Sequence, residues 1–201
     1  MEHLAPLDNL VAALSRLPGI GRRTAERMAM ALVQDDKGLM RILANVLLEA
    51  DDGIVSCERC GSITLSGVNP CELCLRPRRD AHILCVVESP ADIMKIEESG
   101  GFQGRYHALM GRLSPMHGTG AADLRVDKLL ERITSEGIEE VVIALGADVE
   151  SDATASYLRE VLATRSVKVS RIGFGLPTGS AIEYSDASTL ARAIQGRQEM
   201  S

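Results

Sequence analysis

Apolar side chains recur at helical spacing through the first fifty residues and give way to short continuous apolar runs beyond residue 80. Residues 6–17 carry a leucine-rich stripe, a second stripe starts at Ala25, and a third covers residues 37–49. A repeat of three to four residues is typical of amphipathic helices. The N-terminal part is therefore predicted to consist of three helices.

Four apolar runs after residue 80 have the length and composition of buried strands. They cover residues 82–87, 106–111, 141–146 and 167–174. A helix is predicted after the first strand, where Ser89 and Asp92 form a capping box. Three further helices are predicted over residues 123–135, 153–164 and 188–195. This alternation predicts a mostly parallel sheet with helices on both faces. We expect an α/β domain behind the helical one, so that the chain is α+β overall.

Two Cys-x-x-Cys pairs lie between these parts, Cys57 with Cys60 and Cys71 with Cys74. Four thiolates at tetrahedral corners suit Zn²⁺, and a complete shell of four leaves no position for a substrate. We expect one structural Zn²⁺ per chain, which supplies folding energy to a segment too short for its own core. A redox dithiol or a pair of disulfides is the alternative interpretation of this spacing.

Composition and charge narrow the range of partners. The 201 residues include three Tyr, two Phe and no Trp, which disfavours a surface that stacks bases on aromatic rings. The chain shows no membrane-spanning apolar run and no signal peptide, so we expect a cytoplasmic protein. The net charge is −6, and residues 136–160 hold seven acids and one Arg. A DNA contact would therefore need a local basic patch.

Such a patch follows the turn between the first two predicted helices. The turn holds Gly19 and Gly21, and Arg22, Arg23 and Arg27 come directly after it. Two helices joined by Gly-x-Gly predict a helix-hairpin-helix, whose outward N–H groups can bind a phosphate oxygen. We expect these five residues to contact DNA through its backbone, without reading its bases. The alternative is a helical hairpin that serves packing alone.

Three acids are predicted at the carboxyl edge of the sheet, where parallel sheets bind their ligands. Glu88 follows the first strand, and Glu150 and Asp152 follow the third. Converging carboxylates could hold Mg²⁺, which makes this ion a second candidate cofactor. The other interpretation is a pair of acidic loops that bind no metal.

The features in this order resemble those of the RecR family of bacterial recombination mediators. A strand that ends in Glu, with a later acid-x-Asp, is similar to the Toprim domain of topoisomerases, primases and some nucleases. The likeness to RecR extends over nearly the whole chain and rests on Leu17 to Gly21, the four cysteines, Cys85 to Asp92, Gly104-Arg105-Tyr106, Leu113-Ser114-Pro115, Glu150 with Ala153-Thr154-Ala155, and Glu183-Tyr184.

This resemblance implies a DNA clamp that is not an enzyme. RecR proteins form ring-like oligomers on DNA, here by resemblance a tetramer. With RecO, and in some pathways RecF, they help to place RecA on gaps coated by single-strand-binding protein. The resemblance implies that Arg23 and Arg27 contact DNA, and that Glu88, Glu150 and Asp152 serve partner contacts more than chemistry. It also implies association with the nucleoid during repair.

Four positions depart from the family pattern. Arg22 stands where Pro is frequent, and Gly146-Ala147-Asp148 replaces Asn-Pro-Thr. Asp152 replaces a common Glu, which brings the acidic pair closer to the enzymatic Toprim pattern. Ser180-Ala181 replaces a step of Gly and an acid, which weakens a nucleotide-motif interpretation of the C-terminal stretch.

Two other classes of function remain open at this point. The first is a Mg²⁺-dependent nuclease or primase that uses Glu88, Glu150 and Asp152 to polarise a phosphoryl oxygen. The second is a zinc-stabilised interaction module without a role on DNA. The arginines beside the hairpin favour DNA binding over this second class.

The expected organisation has four parts along the chain. They are a helix-hairpin-helix region over residues 1–53, a zinc finger over 54–78, a Toprim domain over 80–176, and a C-terminal segment over 177–201 that is predicted to form an oligomer contact.

Overall fold

The structure is a computed structural model that describes residues 4–34 and 37–197. The chain divides into two compact units, Met1–Ile54 and Val55–Ser201. Within the described ranges, no helix is both long enough and apolar enough to cross a membrane.

The first unit contains the three predicted helices, α1 (Ala5–Leu14), α2 (Arg22–Gln34) and α3 (Lys37–Gly53). Helix α2 packs against both neighbours, and its small residues Ala25 and Ala29 are fully buried where the helices meet. Helix α3 has no buried residue. Its apolar stripe, which predicted the helix, stays largely exposed.

The second unit starts with a short ribbon and a helical turn that hold the four cysteines. Strand β1 (Ile54–Ser56) pairs with β2 (Ile63–Leu65), and α4 covers Glu72–Leu75. This two-stranded sheet was not predicted from the sequence. Each strand has only three residues, all exposed or half-buried, so no alternation of apolar and polar positions marks it.

A four-stranded sheet forms the centre of the second unit, and all its strand pairs are parallel. The strands are β3 (Asp80–Val87), β4 (Gly104–Ala108), β5 (Glu140–Ala144) and β6 (Lys168–Arg171), in the spatial order β4-β3-β5-β6. The predicted α/β class is therefore confirmed. Strands β4 and β6 end three residues earlier than predicted, and β4 is followed by a left-handed backbone conformation at Met110.

Helices cover both faces of this sheet, as predicted. They are α5 (Pro90–Ser99) on one face and α6 (Val126–Ser135) with α7 (Val149–Leu162) on the other. A last helix, α8 (Ala187–Gln195), follows the sheet, and 3₁₀ turns cover Pro115–His117, Ala121–Asp123 and Ile182–Tyr184. The Asp92 carboxylate accepts from the Ser89 N–H at 2.8 Å and completes the predicted capping box. Helix α7 begins before residue 153 because Asp148 caps it, accepting from Ser151 N at 3.0 Å.

The two faces of the sheet bury two separate cores. On one face, Leu84 and Val141 pack with Leu129 of α6 and Leu158 of α7. The core on the other face contains the four cysteines of the two pairs, packed with Cys85, Val87, Ile93, Tyr106, Ala108 and Ala144. The cysteine cluster is thus part of a hydrophobic core that it shares with the sheet.

Candidate functional site

The four cysteines of the two pairs form one buried cluster. Their Sγ atoms all lie within 4.8 Å of one another, and all four thiols are free. The Cys57 and Cys74 sulfurs are 4.0 Å apart, and those of Cys60 and Cys71 are 3.4 Å apart. A tetrahedral site with metal–sulfur bonds of about 2.3 Å has sulfur separations of about 3.8 Å. The cluster therefore fits a four-coordinate metal ion.

Local backbone structure places each cysteine pair. The first pair ends at Gly61, whose φ of +82° suits glycine and whose N–H donates to Cys57 O at 2.8 Å. The second pair opens α4, and Cys74 N donates to Cys71 O at 3.0 Å. Each turn brings its two thiols to the same side. Backbone N–H groups also point at sulfur, as Cys71 N does at Cys57 Sγ (3.3 Å).

The thiols of the cluster differ in acidity. Burial raises the pKa of Cys57, but backbone N–H groups of Cys60, Cys71 and Arg59 outweigh burial and bring it to about 7. Burial raises the pKa of Cys71 to about 11, and the side-chain contact with Cys74 raises that of Cys60. Metal ions bind thiolates, so a metal must displace protons here, and its affinity should rise with pH.

A network of arginines, missed by the sequence analysis, surrounds the carboxylate of Glu136 beside the cysteines. Arg59, Arg105 and Arg132 donate to it at 2.9, 3.0 and 2.8 Å. Burial raises the pKa of Glu136, but the hydrogen bonds from Arg132 and Arg59 outweigh it and lower the pKa to about 2. The group therefore stays ionised at neutral pH.

His107 is the second buried group of this region that the sequence analysis did not single out. It is fully buried, and burial together with the nearby Arg132 charge lowers its pKa to about 3. Its Nε2 lies 2.9 Å from Arg125 O, and its Nδ1 lies 3.3 Å from Arg132 Nη1. We assign a neutral ring that donates from Nε2 and accepts at Nδ1, since a guanidinium can only donate.

The hairpin between α1 and α2 has the geometry that the Gly-x-Gly pattern predicts. Gly19 takes a φ of +77°, Ile20 N donates to Leu17 O at 3.1 Å, and Gly21 O caps α2 by accepting from Thr24 N at 3.0 Å. The first N–H groups of a helix lack intrahelical acceptors. The turn therefore presents N–H donors, as an anion-binding hairpin requires.

The three arginines behind this turn lie on two faces of α2. Arg22 pairs with Glu26 at 3.1 Å, so part of its charge is neutralised. Arg23 and Arg27 are exposed and lie one helical turn apart on the neighbouring face. The face with Arg23 and Arg27 thus offers two adjacent positive charges.

The acids at the carboxyl edge of the sheet surround an arginine. Arg112 lies 3.8 Å from Glu88, 3.0 Å from Asp148 and 2.9 Å from Glu150. Burial is the main cause that raises the pKa of Glu88, and the neighbouring carboxylates add to the effect while Arg112 opposes it. A guanidinium thus occupies the position between these carboxylates where a cation would be expected.

Asp152 takes part in a different group of side chains. It accepts from Arg171 and Arg192, each at 2.7 Å, and these bonds lower its pKa. Both guanidinium groups also lie over the ring of Phe174, at 4.7 and 5.4 Å from its centre. The convergence expected for Glu88, Glu150 and Asp152 is therefore not observed. Among residues 4–34 and 37–197, the cysteines form the only cluster suited to a metal ion.

Comparison with known proteins matches three family profiles to consecutive parts of the chain. They are described as "RecR, helix-hairpin-helix" over residues 7–51, "Toprim domain" over residues 82–173 and "RecR, C-terminal" over residues 175–198. Together with the geometry above, they define the class: a Toprim protein that carries a helix-hairpin-helix and a four-cysteine centre.

Relatives of the same length identify the family. The recombination protein RecR of Desulforudis audaxviator is 42% identical over 200 residues, which cover 100% of both chains, and that of Moorella thermoacetica is 44% identical with the same coverage. That of Desulforapulum autotrophicum is 46% identical over 190 residues, 94% of each chain. The chain therefore belongs to the RecR family of recombination proteins, which confirms the resemblance seen in its sequence.

Proposed function

We propose that this protein is a DNA-binding mediator of recombinational repair that acts in the cytoplasm, at the nucleoid. It encloses DNA as a ring-like oligomer and, with RecO and in some pathways RecF, helps to place RecA on DNA coated by single-strand-binding protein. The observation that carries the proposal is the pair of exposed arginines, Arg23 and Arg27, beside the N–H donors of the hairpin. Charges in this arrangement bind phosphates and carry no sequence information.

The acids of the Toprim domain support a role without catalysis. Glu88 and Glu150 share Arg112, and Asp152 pairs with Arg171 and Arg192. Using them as magnesium ligands would require breaking these ion pairs and moving Asp152 towards the other two acids. We propose that Glu88 and Glu150 instead form a contact surface for RecO.

We propose Zn²⁺ as the ion of the four-cysteine cluster. Thiolate ligands at tetrahedral separations favour Zn²⁺ over Mg²⁺, which prefers oxygen ligands. When bound, the ion supplies a structural cross-link between the two cysteine pairs and leaves no position for a substrate.

We propose that exposed apolar residues of the first unit contribute to the oligomer. On α3, Ile42, Val46 and Leu47 are 59%, 46% and 67% exposed in the single chain. Apolar patches of this kind are typical of surfaces that bind other proteins. In the proposed four-part organisation, the C-terminal segment over 177–201 supplies a second oligomer contact.

One experiment tests the DNA-binding and non-catalytic parts of the proposal together. The purified protein is incubated with gapped and duplex DNA and Mg²⁺, and both retention and cleavage of the DNA are scored. We expect retention without cleavage or primer synthesis. Nicking that requires Mg²⁺ and disappears in Glu88→Gln would contradict the proposal, and absence of retention would contradict the DNA role.

A further inference from the structure

The backbone turn of the first cysteine pair is held from outside by residues of the Toprim domain. Arg125 Nη2 donates to Glu58 O at 2.6 Å and approaches Arg59 O at 3.4 Å. Ala108 N, on the last residue of β4, donates to Cys60 O at 2.7 Å. Three successive carbonyl groups of the turn therefore contact donors that the sheet and the start of α6 supply.

Hydrogen bonds at both the N–H and the carbonyl group fix the backbone of Arg125. Its backbone N–H donates to Leu109 O at 3.1 Å, and its carbonyl accepts from His107 Nε2 at 2.9 Å. At Gly61, a Cβ atom would lie 2.3 Å from Arg125 Nη1. The guanidinium thus occupies the space that a side chain at residue 61 would need.

Arg132 supports the same turn from α6. Its Nη1 donates to Tyr106 O at 2.7 Å and approaches Arg59 O at 3.4 Å. Glu136 pairs with the same guanidinium, and the neutral His107 ring accepts from it. Two guanidinium groups at fixed positions therefore face the backbone of the first cysteine pair.

The second cysteine pair packs in the same core, but the backbone hydrogen bonds of its carbonyl groups lie within its own short helix. Cys71 O accepts from Cys74 N at 3.0 Å and from Leu75 N at 3.3 Å, and Glu72 O accepts from Arg76 N at 3.0 Å. These bonds close a helix of only four residues. Helical segments this short are unstable on their own, because too few hydrogen bonds offset the ordering of the backbone.

We propose that Arg125 is a positioning residue of the metal centre. With Arg132, it holds the first cysteine pair in its metal-binding turn before the ion arrives, and the ion then fixes the second pair. The inference rests on the proposed zinc centre. The positive guanidinium also offsets the net negative charge of Zn²⁺ bound by four thiolates. Outer-sphere partners of this kind typically change metal affinity by about 10- to 100-fold.

The first test compares full-length wild type, Arg125→Gln and Arg125→Lys. Arg159→Gln, at an exposed arginine of α7, serves as the matched control. Zinc content is measured by elemental analysis, and zinc release is followed with an excess of a chromogenic chelator. We expect Arg125→Gln to release zinc about tenfold faster. Arg125→Lys should release zinc more slowly than Arg125→Gln, because lysine keeps the positive charge but lacks the several N–H donors of the guanidinium group.

The outcomes separate this inference from the proposed zinc centre. A wild-type protein that folds without any metal would overturn the zinc centre itself. A wild type that holds zinc, with Arg125→Gln releasing it at the rate of wild type and Arg159→Gln, would overturn the role of Arg125 alone.

A second test needs no variant and stays decisive if Arg125→Gln fails to fold. Hydrogen exchange is measured on wild-type protein after zinc removal under reducing conditions. The Gly61 amide donates to Cys57 O within the first turn, and the Ala108 amide donates to Cys60 O of that turn from β4. We expect both amides to stay protected from exchange. The amides of Cys74 and Arg76 in the second turn should exchange quickly. Equal loss of protection in both turns would overturn the proposed order.

Discussion

At the scale of single residues, the partly buried carboxylate of Glu136 accepts hydrogen bonds from three arginines beside the cysteines. Its pKa is lower in the folded protein, about 2, than its ordinary value of 4.5. The contribution of ionised Glu136 to the free energy of unfolding is therefore complete above pH 4.5 and is lost as the pH falls towards 2. A difference of this size corresponds to about 3 kcal/mol of unfolding free energy at neutral pH.

We therefore predict that Glu136→Gln lowers the free energy of unfolding at pH 7 and that its deficit shrinks as the pH approaches 3. Urea unfolding of wild type and variant at several pH values measures this difference. Glu139→Gln is the control, because the Glu139 side chain is 80% exposed. A deficit that is the same at pH 7 and pH 3 would show that the ion pairs do not stabilise the protein.

At the scale of elements, the hairpin and α2 form the unit that we expect to contact DNA. Arg23 and Arg27 share one exposed face, whereas Arg22 pairs with Glu26 on the next. We predict that Arg23→Glu combined with Arg27→Glu abolishes DNA retention for every DNA sequence, because phosphate contacts do not read bases. Arg22→Gln should retain most of the binding.

Filter binding or gel retention over a range of salt concentrations measures this prediction, with the oligomer mass by light scattering and the zinc content as controls. A single chain neutralises few phosphates, so its DNA affinity should depend only weakly on salt concentration. An oligomer that places several hairpins around one duplex should show a steeper dependence. Wild-type retention by the double variant in an intact oligomer would exclude the hairpin as the DNA contact.

At the scale of the whole molecule, ion pairs formed on folding reduce the number of unpaired negative charges that the sequence suggests. Residues 136–160 hold seven of the acids and only one Arg. Five of those acids have an Arg or Lys partner at 2.7–3.0 Å, and they are Glu136, Glu140, Asp148, Glu150 and Asp152. The segment therefore offers a basic partner fewer unpaired charges than its composition implies, and the Glu88–Glu150 edge is the more specific candidate for docking.

We predict that Glu88→Gln combined with Glu150→Gln weakens RecO binding by about tenfold, a loss of about 1.4 kcal/mol. DNA retention should stay unchanged, because these acids lie in the sheet unit and the hairpin in the other. Isothermal titration with purified RecO measures the affinity. Asp127→Asn, at an exposed acid of α6, is the control. Wild-type affinity in the double variant would exclude this edge as the docking surface.

The sequence by itself determined the helices, the alternation of strands and helices, the two cysteine pairs and the hairpin turn. Each of these depends on residues a few positions apart, so local periodicity and spacing carry the information. The capping box of Ser89 and Asp92 is such a case, and so is the left-handed conformation at Gly19.

Only the tertiary structure decided which charges meet. Arg59 reaches Glu136 across 77 positions of the sequence, and Arg112 reaches Asp148 across 36. The same folding pairs Asp152 with Arg171 and Arg192 and Glu88 with Arg112, although sequence position placed both acids at one edge. These contacts depend on the register of parallel strands and on the packing of helices against them, which no local pattern of residues specifies.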